Sequence, residues 1–371
     1  MGLVDDPFEQ AKARFFAALG RQQAGDFAEA ERHYQASLAL VPGRASTLIN
    51  LAAVQLRLAR PGDALQSADS ALAGERDSVD ALLHRATALA QLGRADEALA
   101  AFQRLLAIDC RHAAAWSGSG TMLREMQRLD EAAHAFGEAL RHGADREVHD
   151  FYLASVGVGT APATPPREYV AGLFDSYADE FDRHLVGELG YQAHRRLIDL
   201  LCARGSDARW DSALDLGCGT GLCGPLVKPM VGRLTGVDLS ARMIDKARSL
   251  GVYDRLEHAD IVEFLARSDE RWDLVLAADV FIYVGDLEPV FDLLERSMTR
   301  GMFCFSVEAL DGDGVDLRLL PSLRYAHSQR YLGRLAAQHG FAVEAMELAP
   351  VREDQGEAVE GLYVLLRRLA P

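Results

Sequence analysis

The stretch from Asp215 to Gly221, with the sequence Asp-Leu-Gly-Cys-Gly-Thr-Gly, constrains the fold more than any other part of the chain. It follows a short apolar run, Ala213-Leu214, and precedes residues 222–225, where a helix can begin. Glycines spaced by two let the backbone turn sharply and approach a ligand that a Cβ would exclude. The stretch therefore predicts a strand–loop–helix unit with a nucleotide-type pocket at the loop.

Two further carboxylates follow predicted strands. The segment at 233–237 ends at Asp238, and the segment at 256–259 ends at Asp260. A carboxylate just past the carboxyl end of a parallel strand is placed to accept hydrogen bonds from ribose hydroxyl groups. An isolated glycine loop is also compatible with an ordinary tight turn, but this combination favours a nucleotide-type ligand.

The glycine spacing separates two cofactor classes. The dinucleotide fingerprint G-x-G-x-x-G places a pyrophosphate on a helix N-terminus, whereas Gly217, Gly219 and Gly221 are spaced by two and follow Asp215. This pattern resembles motif I of the class I S-adenosylmethionine-dependent methyltransferases, and the resemblance covers about residue 169 to the C-terminus. It implies a Rossmann-like, doubly wound, seven-stranded α/β domain and S-adenosylmethionine as the cofactor.

The resemblance also implies roles for individual residues. The glycine loop would contact the methionine part of the cofactor, Asp238 the ribose, Met243 the adenine ring, and Asp260 with Ile261 the adenine amino group and its neighbour. The aromatic-rich stretch at 168–191 looks like a lid over the cofactor, although a helix simply packed on the sheet edge is the alternative. The implied cofactor contacts are Tyr177, Asp215, Gly217, Cys218, Gly219, Gly221, Asp238, Leu239, Met243, Asp260, Ile261 and Asp279.

Methyl transfer from a sulfonium is an in-line displacement, so the protein mainly has to hold the nucleophile in line in a dry pocket. An acceptor hydroxyl or ammonium group also needs a base. The candidates near the ends of predicted strands are Asp279, Tyr283, Glu308 and His327. Structural roles are the alternative, since Asp279 can cap the next segment and His327 is one of 11 histidines. Arg324 and Tyr325 could bind a carboxylate substrate, because guanidinium and carboxylate match in a bidentate way.

The N-terminal part has an internal period of 34 residues. Small residues recur in two registers at this step, namely Ala30, Ala64, Ala98 and Ala132, and Ala18, Ala52, Ala86 and Gly120. Small residues let paired helices approach closely, and Gly25-Asp26 and Gly93-Arg94 are typical signals before a helix. The pattern resembles the tetratricopeptide repeat, with about four helix pairs and a capping helix at 145–154.

These observations predict an α-helical repeat solenoid followed by an α/β domain. We expect the helical array at 1–156, a Pro- and Gly-rich linker at 157–167 and the methyltransferase domain at 168–371. The concave face of such an array usually holds a peptide or protein segment. Assembly into a homodimer through the array is the alternative use.

Charge and cysteine content exclude several classes of protein. With a formal net charge of −16 the chain lacks the basic surplus that nucleic-acid binding requires. No apolar run reaches the length of a membrane span, and the first ten residues hold acidic rather than basic side chains, so we expect neither a membrane nor a secreted form. The five cysteines have no Cys-x-x-Cys spacing, which favours a reducing cytoplasm and no metal site.

Overall the chain resembles bacterial methyltransferases that carry tetratricopeptide repeats before the catalytic domain. The resulting hypothesis is methyl transfer to a peptide or protein acceptor that the array recruits. Three alternatives stay open. They are O- or N-methylation of a small metabolite with the array serving dimerisation, a non-catalytic adaptor with a cofactor-binding fold, and a dinucleotide-dependent oxidoreductase.

Overall fold

The structure is a computed structural model that describes residues 6–177, 191–204, 209–310, 312, 314–354 and 357–370. By its internal contacts the chain divides into two compact units, Met1–Gly159 and Thr160–Pro371. The first is helical and the second is an α/β unit built on one sheet. Within the described residues, no helix combines the length and apolarity needed to cross a bilayer.

The described part of the N-terminal unit consists of successive helices that pack against their neighbours along the chain. They are α1 (Pro7–Gln23), α2 (Phe27–Leu40), α3 (Ala45–Arg57), α4 (Pro61–Gly74), α5 (Val79–Gln91), α6 (Ala95–Ile108), α7 (Ala113–Glu125), α8 (Leu129–Arg141) and α9 (Arg146–Ser155). Helices α2, α4, α6 and α8 begin at 34-residue steps, and so do α3, α5 and α7. The period in the sequence is therefore a period of helix pairs.

Small residues at the periodic positions allow the close helix packing. Ala30, Ala64, Ala98 and Ala132 are all 0% exposed. Where the second register changes from alanine to glycine, at Gly120, an added Cβ would lie 2.6 Å from the ring of Phe136. The large ring thus fills the space that the smaller residue leaves, and helices α7 and α8 approach more closely than an alanine would permit.

The C-terminal unit alternates helices and strands. They are α10 (Arg167–Tyr177), α11 (Ala193–Arg204), β1 (Trp210–Leu216), α12 (Gly224–Val227), β2 (Val231–Asp238), α13 (Ala241–Ser249), β3 (Arg255–His258), α14 (Ile261–Arg267), β4 (Leu274–Ala277), α15 (Glu288–Ser297), β5 (Gly301–Ala309), β6 (Leu317–Leu319), β7 (Tyr325–His327), α16 (Gln329–Gln338), β8 (Phe341–Asp354) and β9 (Glu357–Arg368). One-turn 3-10 helices lie at Lys228–Met230 and Phe281–Tyr283.

Strands β3, β2, β1, β4 and β5 lie side by side in that order and run parallel. Strand β9 pairs antiparallel with β5, and β8 with β9. The described residues form nine strands rather than the expected seven, because a hairpin of β6 and β7 is attached to the last two residues of β5. Each of these added strands has three residues, which is too short to leave an alternating pattern in the sequence.

The sheet has an apolar core on each face. Alternate residues of the central strands enter opposite cores, as Leu214 and Leu216 do against Ala213, and Phe303 and Phe305 against Cys304. Burial on both faces explains why β4, Leu274–Ala277, is apolar throughout. With both faces covered, a ligand is most easily accommodated outside the carboxyl ends of the strands.

Candidate functional site

A cavity of about 390 Å³ lies at the carboxyl ends of β1, β2 and β4. Strand β1 is the point where the strand order reverses, which is where doubly wound sheets open a crevice. The cavity wall contains most of the residues that the sequence singled out, namely Asp215, Gly217, Cys218, Gly219, Asp238, Leu239, Met243, Asp260, Ile261, Asp279 and Tyr283. Gly221, Glu308, Tyr325 and His327 do not line it. The side chain of Tyr177 lies outside the described residues.

The glycines of the loop after β1 have different functions. All three have a positive φ, 62° at Gly217, 55° at Gly219 and 94° at Gly221, a conformation that other residues adopt at a cost. A Cβ at Gly217 would lie 2.5 Å from Val280, and one at Gly221 would lie 2.7 Å from Leu250. A Cβ at Gly219 would meet no atom within 4 Å. Gly219 therefore lines open space in the cavity, whereas Gly217 and Gly221 allow close packing.

Asp238, the last residue of β2, is held by backbone amides. Its Oδ2 accepts a hydrogen bond from the N–H of Gly219 at 2.9 Å, and its Oδ1 accepts one from the N–H of Ser240 at 2.8 Å. A carboxylate oxygen can accept more than one hydrogen bond. The carboxylate is thus fixed in orientation at the cavity wall and retains the capacity to accept from the hydroxyl groups of a ligand.

Asp215, the next-to-last residue of β1, is only 2% exposed. Its Oδ2 accepts a hydrogen bond from the Tyr253 hydroxyl at 2.7 Å. Burial raises the pKa of Asp215 to about 7; the Tyr253 hydrogen bond opposes this shift, and the charge of Asp238 adds to it. A cationic ligand group at this carboxylate would favour its ionised form. Sequence reasoning missed Tyr253, since no motif marks it.

Asp260 begins α14 as its N-cap. Its Oδ1 accepts hydrogen bonds from the N–H groups of Val262 at 2.9 Å and Glu263 at 3.1 Å. Ile261 and Met243 line the same cavity and are almost fully buried. The helix start therefore fixes Asp260 beside two apolar side chains, an arrangement suited to a flat heterocycle with polar edges.

The segment before the sheet covers part of the cavity. Val170, Leu173 and Phe174 of α10 line it, as do Thr164 and Pro165 from the stretch that we expected to be a linker. The carbonyl of Ala163 accepts hydrogen bonds from the N–H groups of Gly285 and Asp286 at 2.8 and 3.1 Å. Residues from 163 onward are thereby tied to the α/β unit, and they contribute apolar surface to the site.

A cluster of charged and polar side chains lies where β4 and β5 end. Asp279, Tyr283, Arg324 and Arg352 line the cavity, and Glu308 lies behind them. Nη1 of Arg352 donates to Oδ1 of Asp279 at 3.4 Å, and its Nη2 donates to Oε1 of Glu308. Asp279 adopts φ 60°, and its N–H donates to the Ser306 hydroxyl at 2.9 Å. We call Asp279, Tyr283, Glu308, Arg324 and Arg352 the arginine cluster.

Two of the predicted site residues, Tyr325 and His327, are buried away from the cavity and contact backbone carbonyls instead. His327 is 0% exposed, and its Nε2 is 2.8 Å from the carbonyl oxygen of Gly285. Burial lowers the pKa of His327 to about 4, although backbone hydrogen bonds oppose the shift. The hydroxyl of Tyr325 donates to the carbonyl of Pro162 at 2.7 Å. The structure thus brings neither side chain to the cavity.

Arg352 is the main site residue that sequence reasoning missed. It is 3% exposed and lies at an irregularity in the pairing of β8 with β9, between Pro350 and Arg352. The bulge disrupts the alternation of inward and outward side chains, so that Val351 and Arg352 are both buried. No signal in the sequence marked it, because Arg352 belongs to no motif and its place in β8 follows only from the structure.

The N-terminal unit has a cavity of its own, of about 960 Å³. Residues from α1, α3, α5 and α7, with Phe27 and Phe102 from other helices, contribute to its wall. The wall mixes apolar groups with neutral polar ones such as Gln22, Gln91 and Thr121. Its cationic side chain, Arg57, lies with its guanidinium 4.7 Å from the centre of the Phe27 ring.

Comparison with known proteins identifies the chemistry of the α/β unit. A family model described as a methyltransferase domain matches residues 213–301. Two relatives named malonyl-(acyl-carrier protein) O-methyltransferase are similar in sequence. The one from Enterobacter lignolyticus (strain SCF1) is 29% identical over 183 residues, 46% of this chain and 67% of the relative. The one from Pseudescherichia vulneris is 31% identical over 132 residues, 36% of this chain and 50% of the relative.

Two solved structures resemble the chain more distantly. Magnesium protoporphyrin IX methyltransferase from Synechocystis PCC 6803, with bound S-adenosylmethionine, is 16% identical and covers 55% of this chain and 97% of its own, with a TM-score of 0.43. N-methyltransferase NodS from Bradyrhizobium japonicum WM9, in complex with S-adenosylhomocysteine, is 18% identical. It covers 53% of this chain and 97% of its own, also with a TM-score of 0.43.

The described residues fit S-adenosylmethionine. Gly219 leaves open space where a Cβ would otherwise project, and Asp215 and Asp238 supply carboxylates for an ammonium group and a diol. The matched family model spans the glycine loop and all four strand-end aspartates. The C-terminal unit therefore contains a Rossmann-like methyltransferase domain with S-adenosylmethionine as its cofactor, and the chain is a methyltransferase.

Proposed function

We propose that this methyltransferase acts on an acceptor carried by a peptide or protein segment, and that the N-terminal helices recruit that segment. The observation that carries the proposal is the presence, in one chain, of a methyltransferase cavity of about 390 Å³ and a separate cavity of about 960 Å³ in the helical unit. We infer that the helical unit is a tetratricopeptide-type solenoid, on the grounds of its 34-residue helix pairs.

The composition of the helical cavity supports a polypeptide ligand. Glutamine and threonine side chains match the donors and acceptors of an extended backbone, and the apolar part of the wall can bury side chains of the bound segment. The names of the two relatives describe an acceptor group attached to a carrier protein. We extend to this chain the idea of an acceptor that arrives on a protein.

Within the catalytic unit, we assign the glycine loop and Asp215 to the methionine part of the cofactor and Asp238 to the ribose. Asp260, Ile261 and Met243 would surround the adenine ring. When bound, the cofactor supplies an electrophilic methyl group on a sulfonium. The protein residues hold the cofactor, exclude water through α10 and leave the arginine cluster to face the acceptor. The five unpaired cysteines support our placement of the enzyme in the cytoplasm.

The cofactor pocket is tested by calorimetric titration of the full chain with S-adenosylhomocysteine, repeated on Asp238→Ala. We expect binding to weaken about tenfold to a hundredfold in the variant, because a charged acceptor of hydrogen bonds is lost. Asp245→Ala is the matched control, since Asp245 is an exposed carboxylate on α13. Equal affinities in wild type and Asp238→Ala would refute the assigned pocket.

The acceptor class is tested with radiolabelled S-adenosylmethionine and two fractions of a bacterial extract, the macromolecules and the small-molecule filtrate. We expect label in the macromolecular fraction. We also expect a lower initial rate with Arg57→Ala and Gln91→Ala, which alter the helical cavity without touching the catalytic unit. Label confined to the filtrate would instead support a small-metabolite acceptor, with the helical unit serving dimerisation. Binding of S-adenosylhomocysteine without any transfer would support a non-catalytic adaptor.

A further inference from the structure

The arginine cluster contains two guanidinium groups in the wall of the catalytic cavity. Arg352 is buried to 3% exposure, and two of its three nitrogens donate to Asp279 and Glu308. Its third nitrogen, Nε, is buried and makes no hydrogen bond to any residue in the described part of the chain. A buried donor without an acceptor is unfavourable, so this nitrogen indicates that a ligand oxygen belongs nearby.

Arg324 lies on the same side of the cavity. It is hydrogen-bonded to the hydroxyl of Tyr283 and interacts with the charges of Glu308 and Asp279. Tyr283 itself packs edge-to-face on Phe174 of α10, with ring centres 5.2 Å apart. The two guanidinium groups therefore share one polar recess below the apolar cover that α10 provides.

The recess combines two guanidinium groups with two carboxylates. Its cations are Arg324 and Arg352, and the carboxylates that face them are Asp279 and Glu308. Burial raises the pKa of Glu308, although both arginines oppose the shift. The Nε of Arg352 is the donor that these two carboxylates leave without an acceptor among the described residues. A bound cofactor would bring a further positive charge, its sulfonium, into the catalytic cavity.

The backbone on both sides of the recess is held in a costly conformation. Leu323, which precedes Arg324, has φ 64°, and Asp279 has φ 60°. A leucine in this region is a genuine exception, whereas aspartate tolerates it better. Such conformations occur where the surrounding structure fixes a side chain for function. Leu323 closes the turn of the β6–β7 hairpin, where its N–H donates to the carbonyl of Leu320 at 2.9 Å, and Arg324 follows it in the cavity wall.

We propose that Arg324 and Arg352 bind a carboxylate of the acceptor, and that an oxygen of this carboxylate receives the methyl group. The inference rests on the proposed function and names its substrate class. In the step, a lone pair of the carboxylate oxygen forms the new O–C bond as the S–C bond breaks, and the bond pair goes to sulfur. The products are a methyl ester and S-adenosylhomocysteine, and no proton is transferred.

A carboxylate acceptor agrees with the groups that surround it. Carboxylic acids are ionised at neutral pH, so the reaction needs no general base. Asp279 is engaged by Arg352, and burial raises the pKa of the Tyr283 hydroxyl. Neither group has to remove a proton. Their role in this proposal is to position the two guanidinium groups.

The bond between the transferred methyl group and the acceptor is tested on the labelled macromolecules obtained with the full chain. A methyl ester releases volatile radioactive methanol in mild alkali, whereas methyl groups on nitrogen or on an ether oxygen stay in place. We expect most of the label to become volatile. Label that resists alkali overturns the carboxylate inference and leaves the methyltransferase function intact. Absence of both transfer and S-adenosylhomocysteine binding would instead contradict the proposed function itself.

The recess is tested with Arg324→Gln and Arg352→Lys, with Arg318→Gln as the matched control. Arg318 lies on the same hairpin as Arg324 and is exposed. At subsaturating acceptor we expect the first two variants to lower the initial rate about tenfold to a hundredfold, since each loses charge-assisted hydrogen bonds. The affinity for S-adenosylhomocysteine and the rate of Arg318→Gln should stay unchanged. Equal rates in all variants would overturn the proposal.

A direct binding experiment covers the case in which a variant fails to fold. The wild-type chain, saturated with S-adenosylhomocysteine, is titrated with succinate and with dimethyl succinate, which has the same carbon skeleton but no charge. We expect thermal stabilisation by succinate alone, and a loss of this effect in high salt. Stabilisation by the ester, or by neither compound, contradicts an anion site.

Discussion

The raised pKa of Asp215 predicts that cofactor affinity depends on pH near neutrality. In the free protein this carboxyl has a pKa of about 7, because it is buried beside Asp238. An ammonium group of the cofactor would interact favourably only with the ionised form. Binding must then release the proton that a protonated Asp215 carries, so affinity rises as the pH rises through about 7 and levels off above it.

The size of the effect follows from the pKa. If only ionised Asp215 binds, the dissociation constant of S-adenosylhomocysteine is about twofold above its limiting value at pH 7 and about elevenfold above it at pH 6. At pH 6 about 0.9 protons should be released for each ligand bound. Calorimetry in two buffers with different ionisation enthalpies measures both quantities. The upper pH limit is set by the ligand's own amine, so measurements end near pH 8.

Two variants check the assignment. Asp215→Asn should bind weakly and with no dependence on pH in this range. Tyr253→Phe removes a hydrogen bond that lowers the pKa of Asp215, so the midpoint of the affinity curve should move to higher pH. A dissociation constant in the wild type that is the same at pH 6 and pH 8 would refute the reasoning. The reasoning would also be refuted if the dissociation constant of Asp215→Asn varied with pH as steeply as that of the wild type.

Other consequences of close packing are measurable. Gly217→Ala places a Cβ 2.5 Å from Val280 at a positive φ, so S-adenosylhomocysteine binding should weaken at least tenfold. Adding Val280→Ala should restore part of the affinity, and full affinity in the single variant would contradict the packing role. Gly120→Ala should lower the free energy of unfolding of the helical unit by about 1–3 kcal/mol. Gly137→Ala, where an added Cβ meets no atom within 4 Å, should raise it by about 0.5–1 kcal/mol. Denaturant titration measures both, and equal changes at the two glycines would show that Phe136 does not exclude the methyl group.

The parts of the molecule that the sequence predicted are those encoded by nearby residues. Asp238 and Asp260 follow predicted strands directly, and parallel strands necessarily bring their carboxyl ends to one edge of the sheet. The helix pairs leave a period that is visible because small residues are needed at every repeat of the same contact. In both cases the pattern lies within one stretch of sequence. The regular geometry of parallel strands, or of paired helices, then determines where these residues lie in space.

The parts that were not predicted depend on contacts between residues distant in the sequence. Tyr253 reaches Asp215 across 38 positions, and Arg352 reaches Asp279 across 73. His327 had the residue type of a general base, but its position on β7 directs its ring to the carbonyl of Gly285. Residue type and distance from a strand end are too weak to distinguish a side chain that lines a cavity from one that satisfies a buried carbonyl.

The bulge in β8 explains why the acceptor side was harder to foresee than the cofactor side. Cofactor residues follow parallel strands, which bring their carboxyl ends to one edge of the sheet. Arg352 instead owes its inward direction to one irregularity in an antiparallel pair, and a shift of one residue would have turned it to the opposite face. A buried arginine requires carboxylate partners, and Glu308 on β5 and Asp279 in the loop after β4 supply them. The substrate preference that we propose is therefore a property of tertiary structure that no single segment of the chain encodes.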